Sequence, residues 1–185
     1  MTFPNIVLVG FMGSGKSSVG RELARCTGFR FRDTDLLIRS RVGKSIPEIF
    51  AAYGEAFFRA QETEVLRSLE AERGMVLATG GGIVLDPANV PLLRQLGPVV
   101  WLTADEPTIW ARVSRNATRP LLQTANPRQT MSQLLRARQV FYAAVADCAV
   151  DSSGLSHQQV ARQVLATVRD WPGRGNEGPT QNPGP

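Results

Sequence analysis

Short apolar runs alternate along this chain with longer stretches in which apolar residues recur at helical spacing. Asn5-Ile-Val-Leu-Val9, bounded by Pro4 and Gly10, is β-branched and apolar, the pattern of a strand buried on both faces of a parallel sheet. From Lys16 to Cys26, Val19, Leu23 and Cys26 fall on one side and Arg21, Glu22 and Arg25 on the other. That spacing predicts an amphipathic helix, ended by Gly28. Phe29 to Arg32 reads as a second strand that stops at Asp33-Thr-Asp35. Ser45-Ile-Pro-Glu48 has the form of a capping box with proline in the first turn, so a helix opens there, breaks at Gly54 and resumes to about Arg73. Met75 to Ala78 predicts a third strand, running into Thr79-Gly-Gly-Gly82. Asp86-Pro87 reads as an N-cap with a helix to Leu96, Pro98 to Leu102 as a fourth strand, and Asp105 as the cap of a helix ending near Ser114. Arg115 to Pro127 is polar and without period, the signature of a surface loop. A long helix over about Arg128 to Val145, a strand over Cys148 to Val150 and a last helix complete the pattern. In that last helix Val160, Ala161, Val164, Leu165, Val168 and Trp171 share a face.

Five strands alternating with helices predict a single α/β domain, a parallel sheet between two helical layers joined by right-handed crossovers. Ligands in such sheets bind at the carboxyl ends of the strands. The glycine loop after the first strand, the two aspartates after the second and the three glycines after the third should therefore meet at one edge.

Composition narrows the chemistry. With 185 residues the chain builds one full core, expected over residues 1–171. The Gly- and Pro-rich tail 172–185 has too little apolar surface to offset its ordering entropy, and disorder is expected there. His157 is the only histidine, which excludes an imidazole metal site and leaves little room for a serine–histidine triad. Cys26 and Cys148 have no CxxC spacing and read as ordinary thiols of a reducing compartment. The N-terminus lacks the form of a signal peptide and no segment is long enough to span a bilayer, so a cytoplasmic protein without a membrane partner is expected. The net charge is +5, yet only Lys16 and Lys44 are lysines and the arginines are scattered, which argues against nucleic acid as a partner.

The strongest local signal is Gly10-Phe-Met-Gly-Ser-Gly-Lys-Ser17, which meets G-x-x-x-x-G-K-[ST] between a predicted strand and a predicted helix. Backbone N–H groups from Gly13, Ser14 and Gly15 through Lys16, Ser17 and Ser18 would cradle phosphate oxygens at a helix N-terminus. Lys16 can bridge the β- and γ-phosphates and the Ser17 hydroxyl can sit on Mg²⁺. An Asn-Lys-x-Asp element for guanine is missing, so ATP is the expected nucleotide.

Asp33 and Asp35 have two readings. They can be helix N-caps, or Asp33 can hold Mg²⁺ while Asp35 accepts the proton of an attacking hydroxyl. Arg138 lies on the apolar stripe of Met131, Leu134, Leu135, Phe141, Tyr142 and Val145, where a guanidinium must find an anion or bear a large desolvation cost. Arg59 stands beside a similar stripe. It can pair with Glu62 as a structural ion pair, or join Arg138 in a fork for a substrate carboxylate. Gly80, Gly81 and Gly82 would let backbone approach the same ligand.

Taken in order, the phosphate loop, Asp33-Thr-Asp35, Phe58-Arg59, the triple glycine, Arg119-Pro-Leu-Leu122 and Arg138 resemble the shikimate kinases, over about Ile6 to Val150. The resemblance implies a P-loop fold of the nucleoside-monophosphate-kinase type. It also implies transfer of the ATP γ-phosphoryl to the 3-hydroxyl of shikimate, a step toward the aromatic amino acids; a monomer is expected, though sequence does not settle the oligomeric state. On that pattern Asp35, Arg59, Gly81 and Arg138 contact shikimate. Arg119 sits in a mobile lid, about residues 115–127, and reaches the phosphates, and Arg112 borders the adenine. Two positions depart from the family's habit: Val140-Phe141-Tyr142 stands where Pro-Leu-Tyr is common, and the adenine loop reads Ser152-Ser-Gly-Leu-Ser156. A kinase of another polyol acid such as gluconate, a nucleoside monophosphate kinase and a non-catalytic nucleotide-binding module are the rival readings.

Overall fold

The computed structural model describes residues 3–114 and 124–171. Five strands, β1 (Asn5–Val9), β2 (Arg30–Asp33), β3 (Met75–Ala78), β4 (Val99–Thr103) and β5 (Cys148–Asp151), form one sheet in the order β2-β3-β1-β4-β5. Every pairing is parallel, with Leu8 opposite Ala78 on one side of β1 and opposite Val100 on the other. Among the described residues seven α-helices cover it: α1 (Lys16–Thr27), α2 (Thr34–Val42), α3 (Ile46–Ser68), α4 (Asn89–Leu96), α5 (Glu106–Val113), α6 (Pro127–Val145) and α7 (His157–Val168).

The continuous apolar strands behave as their composition dictates. Side chains alternate across a strand, so Val7 and Val9 enter one core while Ile6 and Leu8 enter the other. α1 and α7 close the second core with Val19, Leu23, Val160, Ala161, Val164 and Val168. Helices α3 to α6 close the first, with Val65, Leu66, Leu93, Ile109, Met131 and Tyr142 among the buried residues. Among the described residues no helix is long and apolar enough to cross a membrane.

Three expectations are corrected. The second helix of the Ser45–Arg73 stretch ends at Ser68, where i→i+3 bonds from Leu69 to Leu66 and from Glu70 to Arg67 tighten the chain into turns. The buried Asn5 amide then captures the Glu72 carbonyl at 3.0 Å and points the chain into β3. Asp86 caps a turn through the Ala88 N–H at 2.9 Å, and α4 starts only at Asn89. Phe141 is 44% exposed rather than on the buried stripe of α6, and Tyr142 takes the inner position. Gly54 does interrupt α3 as expected. With φ 77° and ψ 176° it kinks the helix, re-aiming its second half, which carries Phe58, Arg59 and Glu62.

Candidate active site

The loop after β1 turns back on itself through glycines. Gly15 has φ 96°, and at Gly13 (φ 80°) a Cβ would lie 2.8 Å from Val113 Cγ1, so neither position accepts a side chain. α1 then begins without a side-chain cap and without an acidic residue in its first turn. Its leading N–H groups and positive dipole end face the cleft, as an anion site requires. The Lys16 ammonium is nearly buried and donates to the carbonyls of Gly10 at 2.7 Å and Phe11 at 2.8 Å. These bonds hold it inside the loop's curve. Ser14 is fully buried, so within this loop it contributes backbone.

Of the two readings of Asp33, the helix cap is what the structure shows. Its Oδ1 accepts from the N–H groups of Asp35 at 3.1 Å and Leu36 at 3.3 Å, capping α2. Its Oδ2 accepts from the Ser17 hydroxyl at 2.8 Å. Two hard oxygen donors thus stand together where the phosphate loop meets β2. Asp35, in the first turn of α2, faces the glycine loop: a Cβ on Gly80 would lie 2.8 Å from its Oδ1. The buried Thr34 hydroxyl fixes that approach by accepting from the Gly80 N–H at 2.8 Å.

The two arginines converge from different helices. Arg138 of α6 is 7% exposed, donates to the Gly81 carbonyl at 3.3 Å and lies over the Phe11 ring. Tyr142, one turn on, donates to the same carbonyl, and burial pushes its phenol up to about 12, so it stays a donor. Arg59 of α3 does pair with Glu62, Nη1 to Oε2 at 2.6 Å, and binds Glu55 through Nε at 3.2 Å and Nη2 at 2.8 Å. It packs against the third glycine so closely that a Cβ on Gly82 would lie 2.5 Å from Nη1. The pairing with Glu62 is thus present, and these three bonds do not use all five N–H groups of the guanidinium.

These residues line two clefts. One, of about 430 Å³, runs along the phosphate loop past Lys16, Ser17, Ser18 and Asp33 to Arg112 and His157. The other, of about 250 Å³, is lined by the apolar side chains of Ile46, Phe50 and Phe58 and by Arg59, Glu62 and Arg138, with the Arg59 guanidinium over the Phe58 ring. Met12, Asp35 and Gly81 line both. One carboxylate, Asp35, therefore stands at the junction of the phosphate-loop cleft and a cleft that combines an apolar wall with two arginines.

Known proteins decide the family. The family model described as shikimate kinase matches residues 12–169. The chain is 48% identical to the shikimate kinase of Geobacter sulfurreducens over 166 residues, which is 90% of this chain and 91% of that one. The chain belongs to the shikimate kinase family. Among solved structures, a shikimate kinase from Acinetobacter baumannii in complex with shikimate superposes with a TM-score of 0.87 at 40% identity, covering 91% of this chain and 94% of that one. A gluconokinase from Sinorhizobium meliloti shares the fold only, with a TM-score of 0.56 at 21% identity over 90% of this chain and 92% of that one.

Within this shikimate kinase fold some site residues gave little sequence signal. Glu62 was legible only as a partner for Arg59, yet it is fully buried and lines the second cleft. Thr34 and Tyr142 hold the glycine loop from either side, and nothing in their spacing marks them. His157, the only histidine, opens α7 and lines the far end of the phosphate cleft. Arg112 is bolted in place: it donates to Gly13 O at 3.1 Å, Ser152 Oγ at 3.0 Å and Ser152 O at 2.9 Å. The Ser152 hydroxyl in turn donates to Ser14 O at 3.0 Å. The unusual loop after β5 thus anchors the phosphate loop with a serine. Arg119 and most of the expected lid lie outside the described residues.

Proposed function

We propose that this chain transfers the γ-phosphoryl group of ATP to the 3-hydroxyl of shikimate, giving shikimate 3-phosphate and ADP. One observation carries the reading: Asp35 belongs to both clefts, so a hydroxyl held in the acid pocket faces a phosphate held on the loop. Arg59 and Arg138 fork the substrate carboxylate, and the wall of Phe50 and Phe58 takes the ring's apolar face. That clamp turns the 3-hydroxyl toward Asp35, which accepts its proton as the oxygen attacks. Lys16 exchanges its loop carbonyls for β- and γ-phosphate oxygens, and Gly13 to Ser18 supply backbone N–H groups. Gly80 to Gly82 keep the backbone low enough for substrate to lie against it.

Ser17 and Asp33 fit Mg²⁺, being adjacent hard oxygen ligands, with no group of three or more His, Cys, Asp or Glu among the described residues that would form an all-protein cage. When bound, the ion offsets phosphate charge. We assign Arg119 to the transferred phosphoryl group and Arg112 to the adenine border. Closure of the 115–127 lid would exclude water and suppress idle hydrolysis. We propose that the chain acts as a monomer in the cytoplasm, where ATP is the available phosphoryl donor.

Coupled ADP release over a panel of shikimate, gluconate, AMP and CMP tests the reading. Turnover is expected with shikimate alone. Preferred turnover of gluconate or a nucleotide, or no acceptor-dependent release, would overturn it.

A further inference from the structure

The acceptor pocket contains a carboxyl group for which the proposed chemistry has no use. Glu62 is fully buried on α3, one turn past Arg59. Its Oε2 is bonded to Arg59, while its Oε1 is buried and makes no hydrogen bond among the described residues. That second oxygen and Asp35 Oδ1 both face Gly80, where an added Cβ would lie 2.9 Å from the first and 2.8 Å from the second, and the Asp35 charge acts on Glu62. The groups facing Glu62 are Arg59 on its own helix, with Glu55 behind it, Asp35 from α2, and Arg138 and Tyr142 from α6. Two guanidiniums already answer three carboxylates.

A substrate carboxylate forked by Arg59 and Arg138 would be the fourth. Arg59 would then serve Glu55, Glu62 and the ligand together, in a pocket whose low dielectric magnifies each repulsion. Neutralising one protein carboxylate relieves this, and the deepest is Glu62. A proton on Oε1 also gives that oxygen a hydrogen to donate toward Asp35. We infer that binding of the acid substrate draws one proton from solvent onto Glu62, leaving Asp35 the ionised base. The balance is simple: one O–H bond forms, and the incoming negative charge is matched by the proton. Burial already raises the Glu62 carboxyl to about 7, with Arg59 and Arg138 opposing the rise and Asp35 adding to it, so the ligand's charge acts on a group poised near neutrality.

The inference rests on the pocket's being an acid site, and the test separates the two. Shikimate is titrated calorimetrically into the full chain without nucleotide, near pH 7.5, in PIPES, HEPES and Tris, whose ionisation enthalpies differ. The observed enthalpy should vary linearly with buffer enthalpy, with a slope corresponding to uptake of about half a proton or more. Because the protonated form binds, Kd should rise with pH, by up to about tenfold per unit above neutrality. Glu62→Gln should bring the slope to zero and flatten Kd against pH, with ATP affinity unchanged as the folding control. Binding with no buffer dependence in the unaltered protein overturns the inference and spares the acid site, and it needs no variant to be read. A slope that survives in Glu62→Gln also overturns it. Absence of any shikimate binding while ATP still binds overturns the acid-site reading, and the inference with it.

Discussion

The two halves of this site are built on opposite plans. The phosphate-loop half is one continuous segment, Gly10 to Ser18, whose shape comes from glycine dihedrals and which offers mostly backbone N–H groups to a ligand. It carries a single cation, Lys16, held by the loop's own carbonyls at 2.7 and 2.8 Å. The acceptor half is assembled from α2, α3, the loop after β3 and α6, and its groups are side chains in charged contact with one another. Arg59 reaches Glu55 and Glu62, and Arg138 reaches Gly81. A backbone cradle can hold any nucleotide phosphate, and such loops recur among unrelated activities. A charged cluster on four elements fits few ligands, and each residue's state depends on the others. On the proposed reading specificity resides in the second half, and the two halves should be separable by mutation except at the residues they share, Met12, Asp35 and Gly81.

The sharpest break of that comparison is at the junction. Asp35→Asn keeps size and shape but loses the proton acceptor, so kcat should fall by about 10²–10⁴, the usual worth of a general base. ATP affinity, measured by equilibrium binding, should change little, because the phosphate cradle is backbone. Unchanged turnover would remove Asp35 from the mechanism. Next in size is Arg138→Lys, which retains charge and loses the planar fork. One charge-assisted hydrogen bond is worth roughly 1.5–3 kcal/mol, so the KM for shikimate should rise about ten- to a hundredfold with the KM for ATP unmoved. Equal effects on both constants would show that the halves are not separable.

The same contrast explains what was legible in the sequence. The sheet was readable because its central strands are apolar on both faces, and the phosphate loop because every residue that shapes it lies within nine positions. Asp33 and Asp35 were readable because the carboxyl-end rule placed them beside that loop. Arg59 and Arg138 showed as charges next to apolar stripes. What the pattern left open was which anion each arginine meets; Arg59 meets Glu55 and Glu62, and the substrate fork is proposed beside that pairing. Glu62 was hidden for a physical reason: a glutamate three residues after an arginine on a helix ordinarily marks a surface pair. Only the kink at Gly54, which re-aims α3, shows that this pair is buried. Thr34, Tyr142 and Ser152 act through single hydrogen bonds to backbone across long sequence separations, and no spacing rule reports those.

Ser152 provides the smallest and most selective test. Its hydroxyl accepts from Arg112 at 3.0 Å and donates to Ser14 O at 3.0 Å, joining the β5–α7 loop to the phosphate loop within the nucleotide half. Ser152→Ala removes both bonds and leaves a carbonyl without its hydroxyl partner, at a cost of about 1–3 kcal/mol, while Arg112 keeps its bonds to Gly13 O and Ser152 O. Some of that cost should appear as a lower Tm. The rest should appear as a several-fold rise in the KM for ATP, since a loosened loop holds the triphosphate less well. The KM for shikimate and the pH dependence of its binding should stay as they were, because no element of the acceptor cluster touches this serine. If shikimate binding shifts as much as ATP binding, strain at the phosphate loop reaches Asp35 through the shared wall of Met12 and Gly81. The site would then have to be treated as one mechanical unit.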